Sequence, residues 1–215
     1  MISSKGRMSR LSNSKIKVLV GCEFSGVVRQ AFRKLGFDAW SCDLLPAEDG
    51  SKYHIQGDVF DAIKAKKWDL AIFHPPCTFL AVSGARWFKF RRDKQEAALE
   101  FVRKLLAAPI PFIALENPVS IISSRIRKPD CTCQPWEHGD PYSKRICLWL
   151  KNLPPLKPTK IMAERKQECW LQPPGPDRWK NRSRTYPGPA KSMAKQWGKV
   201  LSDWKNAKGL DTAVE

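Results

Sequence analysis

Short apolar runs alternate with segments of helical spacing, and this alternation constrains the fold more than any other feature of the sequence. An apolar run of strand length that ends in glycine or a polar residue is typical of a strand buried on both faces. The segments between the runs place apolar residues at about every third or fourth position, as an amphipathic helix does. The predicted strands are 16–21, 37–42, 68–73, 111–115 and 146–150, and the predicted helices include 27–35, 94–106 and 189–205.

This order of elements predicts an α/β fold built on a Rossmann-like, doubly wound and mostly parallel sheet. In such sheets, ligands bind outside the carboxyl ends of the strands. Polar or glycine-containing loops follow the predicted strands, so we expect these loops to converge on one crevice. They contain residues 23–26, Asp43, Asp58, 74–77 and 116–118.

The segments around this core, which we place at 15–150, differ from it in composition. Residues 1–14 are basic and Ser-rich, and we expect them to form a flexible tail. Residues 151–186 are rich in Pro, Trp and basic side chains and are expected to be irregular. Helical spacing returns at 187–206, which predicts a C-terminal helix packed on the core, followed by a frayed tail at 207–215.

The charge balance points to a polyanionic partner. Lys and Arg number 38 against 21 Asp and Glu, which gives a net charge of +17. Basic side chains gain affinity for nucleic acids by releasing counterions from phosphates, so we expect a nucleic acid, although charge that merely maintains solubility is the alternative. No apolar run is long enough for a membrane span, so no membrane partner is expected. Seven irregularly spaced cysteines indicate reduced thiols and a cytoplasmic protein.

The first loop, residues 21–26, joins a predicted strand to a predicted helix without the Gly-x-Gly-x-x-Gly pattern of dinucleotide-binding proteins. Asp43 ends the second strand, where an acid accepts hydrogen bonds from ribose hydroxyls or simply occupies an exposed turn. Asp58 would hydrogen-bond an adenine amino group, or cap the helix that follows it.

Two further strand ends carry groups suited to catalysis. Two prolines stiffen the chain before Cys77, which favours a displayed thiol over one buried in the core. Glu116 follows an apolar strand, so we expect partial desolvation to raise its pKa and prepare it to donate a proton. His74 would orient the loop or tune the thiol, or serve only a structural role.

At these residues the chain resembles a known family, the DNA cytosine-C5 methyltransferases. Pro75-Pro76-Cys77 and Glu116-Asn117 resemble the two signature catalytic motifs of that family. Phe24-Ser25-Gly26 resembles its cofactor loop, Asp43 and Gly57-Asp58-Val59 its cofactor-binding acids, and Lys144-Arg145-Ile146 part of its arginine motif. With the residues at 184–188 and the final helix, the set is similar to the short methyltransferases encoded by bacteriophages, and the resemblance covers 17–198.

The resemblance implies a class I methyltransferase that uses S-adenosylmethionine to methylate C5 of cytosine in DNA, in the host cytoplasm if the gene is carried by a phage. The core at 15–150 would then be the cofactor-binding catalytic domain. The residues implied as catalytic are Cys77, Glu116, Asn117 and Arg145. The residues implied in cofactor binding are Cys22, Phe24, Ser25, Gly26, Asp43, Asp58 and Pro75. The residues implied in substrate binding are His74, Thr78, Ser83, Arg86, Trp87 and Lys144.

The chain also departs from the family pattern. Phe73-His74 replaces the usual two glycines, Thr78 a glutamine, Pro118 a valine, and Ser143 the other arginine of the arginine motif. The segment 151–186 stands where the family has a large target-recognition domain, so that domain is expected to be reduced or absent.

Other functions stay open from the sequence alone. Methyltransferases that modify the exocyclic amines of cytosine or adenine also use a Pro-Pro loop, but with Asp or Asn before it and an aromatic residue after it, where this chain has His74 and Cys77. A non-catalytic nucleic-acid-binding module and an enzyme acting on free nucleotides are further alternatives. The basic and aromatic residues at 85–92 suit base stacking and phosphate contact, or a connecting segment with a solvated edge. Cys131 and Cys133 with His138 lack the second ligand pair of common zinc sites, so no metal is expected.

Overall fold

A computed structural model of the chain describes residues 16–211. The predicted tail at 1–14 lies outside the described residues. Within them, no helix combines the length and apolar character that crossing a membrane would require.

The centre of the molecule is a seven-stranded sheet in the order β3-β2-β1-β4-β5-β7-β6. Neighbouring strands from β3 to β5 are parallel, whereas β7 is antiparallel to both β5 and β6. The strand order reverses between β1 and β4, and a crevice opens at such a switch point. The strands are β1 (Lys17–Gly21), β2 (Asp38–Asp43), β3 (His54–Gln56), β4 (Leu70–Phe73), β5 (Phe112–Asn117), β6 (Cys131–Cys133) and β7 (Ile146–Lys151).

Helices cover both faces of the sheet, which confirms the predicted α/β, doubly wound and mostly parallel architecture. The helices are α1 (Val27–Lys34), α2 (Val59–Ala65), α3 (Arg92–Leu106), α4 (Ile122–Arg125), α5 (Glu168–Leu171), α6 (Arg178–Ser183) and α7 (Pro187–Asp211). Short 3-10 helices lie at Val82–Phe90 and Pro135–Glu137. One core forms beneath α1 and α7, with Phe32 and Trp197 in it, and the other beneath α2 and α3, with Ala62 and Val102 in it.

Alternate residues of each central strand enter opposite cores. In β1, Val18 and Val20 face α1 and α7, while Leu19 faces α2 and α3. Because both faces are covered, the three central residues Val18–Val20 are all apolar, and this is why the sequence shows a continuous apolar run and no alternation. The same two-residue period continues past the strand ends and decides which side chains meet in the crevice.

The C-terminal helix is longer than predicted. It runs over Pro187–Asp211 and not over 187–206, so the first residues of the predicted frayed tail are helical. Pro187 and Pro189 lie in its first turn, where the missing N–H groups would have no partner within the helix. Residues 212–215 lie outside the described part of the chain.

The segment between β7 and α7 is mostly irregular, as expected, and contains only the short helices α5 and α6. It is held to the chain before β7 by isolated bridges between His138 and Lys160 and between Tyr142 and Lys166. Tyr142 and Tyr186 stack with their ring centroids 5.1 Å apart. These contacts bring the end of the segment back to the carboxyl side of the sheet.

Candidate active site

The loop after β1 is built around a buried acid, Glu23. Its Oε1 accepts a hydrogen bond from the backbone N–H of Val28 at 2.8 Å and another from Ser25 Oγ at 3.3 Å. Cys22 and Gly26 hold positive φ values of 58° and 74°, so the backbone turns sharply on both sides of the acid. The first turn of α1 is therefore occupied by a carboxylate of the chain itself.

Glu23 retains an unused acceptor. The residue is only 5% exposed, and its Oε2 is buried without a hydrogen-bond partner. Burial raises the pKa of Glu23, and the charge of His74 is the strongest effect opposing that rise. The sequence predicts residues 23–26 at the crevice but assigns Glu23 no binding role, although an acid between a strand end and a glycine turn is a visible signal.

Asp43 and Asp58 lie beside the first loop, as the sequence analysis expected. Asp43 ends β2 and accepts a hydrogen bond from Leu45 N–H at 3.0 Å. Asp58 is exposed and caps α2 through Phe60 N–H at 2.7 Å, so its capping role is realised. Both carboxylates help to raise the pKa of Cys22, after the larger effect of burial. Their charges therefore act on the same crevice as the first loop.

His74 and Glu116 meet at the ends of β4 and β5. His74 Nδ1 lies 3.1 Å from Glu116 Oε2, and the two side chains are 7% and 12% exposed. Both follow the sheet on the face of α1 and α7, because Ile72 and Ala114 two residues earlier lie in that core.

The expected rise in the pKa of Glu116 is wrong in sign. Burial alone would raise that pKa, but the hydrogen bond with His74 and the charges of Lys144 and His74 together bring it below its usual value. That expectation rested on desolvation alone, whereas His74 and Lys144 come from other parts of the chain and lower the pKa. At rest, Glu116 is an ionised carboxylate with a histidine against it.

Asn117 links the two motifs. Its Nδ2 donates a hydrogen bond to the carbonyl oxygen of Pro75 at 3.0 Å, and the residue is 1% exposed. Proline has no N–H, so this carbonyl is the polar backbone group that Pro75 offers. The bond fixes the loop of Cys77 to the end of β5, while Asn117 Oδ1 is buried without a partner.

Cys77 is exposed at the rim of the crevice. The crevice walls nevertheless partly desolvate its sulfur, which raises the pKa of the thiol, and the charge of Glu116 raises it further. Lys144 and Arg182 act in the opposite direction. Cys77, Glu116 and Lys144 therefore lie near enough for their charges to interact.

Lys144, and not Arg145, is the cation beside Glu116. Lys144 acts on both Glu116 and Cys77, and its Nζ donates to the carbonyl oxygens of Arg182 and Arg184 at 3.0 and 3.2 Å. Arg145 is exposed and acts on Cys147, which belongs to the core beneath α2 and α3. Neighbouring positions of an extended chain point to opposite faces, which explains the difference.

The remaining residues implied in substrate binding follow Cys77 directly. Thr78, Ser83, Arg86 and Trp87 are all exposed. The backbone N–H of Val82 donates to the carbonyl oxygen of Val119 at 3.1 Å, so this segment is anchored beside the end of β5.

Comparison with known proteins finds chains of similar fold among solved structures. No protein-family model matches the sequence, and no curated protein matches it. Among solved structures, the chain is similar to a candidate DNA modification methyltransferase encoded within a prophage of E. coli, at 16% sequence identity and a TM-score of 0.49. The similarity covers 74% of this chain and 56% of that chain.

The segment after β7 covers part of the crevice, which the sequence analysis did not anticipate. Trp179 lies against Phe24 of the first loop, with ring centroids 6.0 Å apart. Arg184 forms a two-point ion pair with Glu48 through Nε and Nη2 at 2.9 and 2.5 Å. The tip of this segment is thus attached to the loops that follow β1 and β2.

Cys131 and Cys133 form β6 as an edge strand, and His138 follows the second 3-10 helix. Burial raises the pKa of both thiols. Across residues 16–211, no cluster of three or more His, Cys, Asp or Glu side chains is arranged to hold a metal ion.

Proposed function

We propose that this chain is a class I, S-adenosylmethionine-dependent methyltransferase that transfers a methyl group to C5 of cytosine in DNA through a covalent adduct with Cys77. The observation that carries the proposal is that the loop of Cys77 is bonded to the end of β5 that bears Glu116, near enough for the charges of Glu116 and Lys144 to act on the thiol. The bond from Asn117 to Pro75 holds the two motifs in that arrangement. Nucleophile, carboxylate and cation come from three different strand ends, as in an enzyme site of this fold class.

The first loop fits a cofactor without phosphate groups. Dinucleotide cofactors place a pyrophosphate at the N-terminus of the first helix. Here the side chain of Glu23 holds that position and already accepts the Val28 N–H that a phosphate would use, and its Oε2 is free to accept a hydrogen bond. S-adenosylmethionine lacks phosphate and carries an ammonium and a sulfonium, so its charges suit this loop.

We assign the cofactor to the crevice beside β1 and β2. Asp43 would accept hydrogen bonds from its ribose, and Asp58 would face its adenine while capping α2. When bound, S-adenosylmethionine would supply an electrophilic methyl group. The residues that would surround it are Cys22, Phe24, Ser25, Gly26, Asp43, Asp58 and Pro75, together with Glu23.

The reaction begins at Cys77. Its thiol must lose a proton before it attacks C6 of cytosine, because the thiolate is the nucleophile. The raised pKa of Cys77 means that this step depends on the cations Lys144 and Arg182. The cytosine would first leave the base stack in order to reach an exposed thiol at the rim of a crevice.

Glu116 and His74 would deliver a proton to N3 of the cytosine. As the sulfur–carbon bond forms at C6, electron density moves into the ring, and a proton delivered to N3 through Glu116 stabilises it. His74 Nδ1 contacts Glu116 Oε2, so a protonated His74 would replenish that proton. Lys144 takes the part expected of Arg145 and would contact the base carbonyl oxygen. C5 then accepts the methyl group. Loss of the C5 proton to solvent water, departure of the Cys77 thiolate from C6 and return of the N3 proton to Glu116 restore the aromatic ring.

The product of the reaction tests the proposal. Incubation with isotope-labelled S-adenosylmethionine and mixed-sequence DNA, followed by digestion to nucleosides and mass analysis, should show label on 5-methylcytosine. Label on an exocyclic amine would instead establish an amino-methyltransferase. No cofactor binding by calorimetry would identify a non-catalytic scaffold.

Trapping tests Cys77 itself. DNA that contains 5-fluorocytosine should form a stable adduct, because fluorine at C5 cannot leave as a proton does, and peptide mapping should place the adduct on Cys77. Cys77→Ser should abolish both the adduct and the methyl transfer. Cys169→Ser on α5 is the matched control and should retain both. Full methyl transfer by Cys77→Ser would exclude the covalent mechanism.

A further inference from the structure

The 3-10 helix after Cys77 presents aromatic rings to solvent in a regular row. Trp87 is 47% exposed and Phe90 is 69% exposed, and none of the residues of this helix is buried. Large apolar side chains left outside the core in a row are uncommon without a binding role. Phe88, the third ring of this helix, is half-buried, so Trp87 and Phe90 are the rings that the helix leaves open to solvent.

The helix type sets the spacing of the row. A 3-10 helix has three residues per turn, so Trp87 and Phe90 project from the same edge about 6 Å apart along the axis. Bases in duplex DNA follow one another at about 3.4 Å along each strand. The spacing of the two rings is therefore larger than the spacing of stacked bases in a duplex. Two successive bases can stack on Trp87 and Phe90 only after they unstack from each other, which an unpaired strand permits.

A basic side chain lies within 6 Å of each of these rings. Arg86 Cζ lies 5.2 Å from the Trp87 ring, and Lys89 Nζ lies 4.7 Å from the Phe90 ring. Arg91 Cζ lies 5.9 Å from both the Trp87 ring and the ring of Phe79, which is two residues beyond Cys77. We name Phe79, Trp87 and Phe90 with Arg86, Lys89 and Arg91 the aromatic–basic strip.

The cations of the strip have no carboxylate partner. Among the ion pairs of residues 16–211, none includes Arg86, Lys89 or Arg91, and the nearby Glu96 pairs with Arg125. Asp93 is the one acid in the first turn of α3. The strip therefore has a local positive excess within a chain of net charge +17, which is complementary to phosphates.

The strip is also fixed relative to Cys77. Its beginning is bridged to Ser120 through Ala81, and the buried Gln95 of α3 donates to the carbonyl oxygen of Phe79 at 3.3 Å. A cleft of 540 Å³ opens beside it, lined by Phe88, Lys89, Arg92, Gln95, Glu96 and Arg125. The strip is thus joined to the loop of Cys77 through Phe79.

We propose that the aromatic–basic strip binds unpaired DNA, with two neighbouring bases stacked on Trp87 and Phe90 and their phosphates against Arg86, Lys89 and Arg91. This inference deepens the proposed function and rests on it, because it names the form of DNA from which Cys77 would take its target. Rings supply sequence-tolerant stacking and cations follow the backbone, which is the physics of single-strand binding.

Fluorescence anisotropy with a labelled mixed-sequence single strand, and with the paired duplex of the same sequence, tests the strip. Trp87→Ala and Phe90→Ala should each weaken single-strand binding about 5- to 150-fold, the range expected for loss of one stacked base. Trp87→Phe should retain most of the affinity. Trp170→Ala, which removes another exposed tryptophan on α5, should leave it unchanged.

Salt titration tests the cations. Arg86→Gln with Lys89→Gln should lower the dependence of log K on log salt by about 0.7 for each phosphate that the variant no longer neutralises. The double variant Lys191→Gln with Lys195→Gln on the exposed side of α7 makes the same change in net charge and should leave that dependence unchanged.

Equal weakening of duplex and single-strand binding by Trp87→Ala would overturn the inference, as would unchanged single-strand affinity in Trp87→Ala with Phe90→Ala. Trp87-dependent binding to anionic vesicles or polyglutamate would also overturn it. The readout needs no catalysis: single-strand binding without methyl transfer would refute the proposed function and leave the strip intact. Methyl transfer by a protein whose strip does not bind single-stranded DNA would refute the inference about the strip and leave the proposed function intact.

Discussion

At the scale of single residues, the site is governed by which charges lie next to which. Glu116 is buried enough to favour its neutral form, yet His74 and Lys144 hold its pKa below the usual value. Cys77 has the opposite balance, because burial and Glu116 outweigh Lys144 and Arg182 and raise its pKa. Burial, together with the charge of Glu116, thus favours the protonated thiol until substrate and cofactor change the balance of charge in the crevice.

Removal of the histidine should reveal its effect on Glu116. In His74→Gln, burial still disfavours the carboxylate, and the variant lacks the hydrogen bond from His74, which is the largest effect opposing burial, while the charge of Lys144 remains. The pKa of Glu116 should therefore rise, so the carboxyl loses its proton at a higher pH than in the wild type. Carbon-13 NMR titration of labelled glutamate carboxyls would measure the change.

His54→Gln is the control for that titration, because His54 contacts Ser41 and the carbonyl oxygen of Leu45 away from Glu116. His54→Gln should leave the pKa of Glu116 unchanged. A fall in the Glu116 pKa in His74→Gln would show that the histidine does not stabilise the carboxylate.

At the scale of elements, the site depends on the connections between strand ends. β4 and β5 are adjacent and parallel, so His74 and Pro75 emerge beside Glu116 and Asn117. The bond from Asn117 Nδ2 to the Pro75 carbonyl oxygen spans the two loops. A second bond of the same kind, from Asn152 Nδ2 to the Pro111 carbonyl oxygen at 2.8 Å, lies at the opposite end of β5.

These two bonds allow a matched comparison. Asn117→Leu should leave the Pro75 carbonyl without its partner and destabilise the fold by about 1–3 kcal/mol. It should also change the rate at which iodoacetamide alkylates Cys77, because the loop loses its anchor. Denaturant unfolding and alkylation kinetics would measure the two effects.

Asn152→Gly removes the distal bond while preserving the backbone, since Asn152 has a φ of 58° that glycine adopts freely. It should lower stability without altering alkylation of Cys77. Equal alkylation rates in all three proteins would show that Asn117 supports the fold and does not position the loop.

At the scale of the whole molecule, two cores bury the sheet on both faces and leave most charge at the surface. Glu23 is an acid whose charged form is disfavoured by burial, and its pKa is raised. Such a group contributes stability that is fully present below its unfolded pKa and is lost as the pH rises through the folded value. The pH dependence of the free energy of unfolding should therefore include a contribution from Glu23.

Glu23→Gln removes that titration while keeping an oxygen for the Val28 N–H. The melting temperature of the variant relative to the wild type should increase from pH 5 to pH 9, by a few degrees, because about 1 kcal/mol corresponds to roughly 2–4 °C for a chain of this size. Differential scanning calorimetry across that range would measure it. Glu100→Gln on the exposed side of α3 should show no such trend, and a trend of opposite sign would mean that charged Glu23 stabilises the fold.

The sequence alone was enough for the architecture. Strands buried on both faces must be apolar at every position, and amphipathic helices must repeat with the helical period, so both patterns are written locally and predict the doubly wound sheet. The same logic placed Asp43, His74, Cys77 and Glu116 at strand ends on one side of that sheet. The edge strand β6 and the 3-10 helix at Val82–Phe90 were missed, because such short or irregular elements carry no periodic signal.

Tertiary structure alone decided the electrostatics of the crevice. The choice between Lys144 and Arg145 depends on which face an extended segment turns to its neighbour, and a one-residue change reverses it. The direction of the Glu116 pKa depends on distances to His74 and Lys144, which come from different strand ends. The role of Glu23 and the cover formed by Trp179 over Phe24 depend likewise on contacts between segments far apart in sequence. Periodicity is a local property of the chain, whereas a charge balance is a sum over neighbours in space.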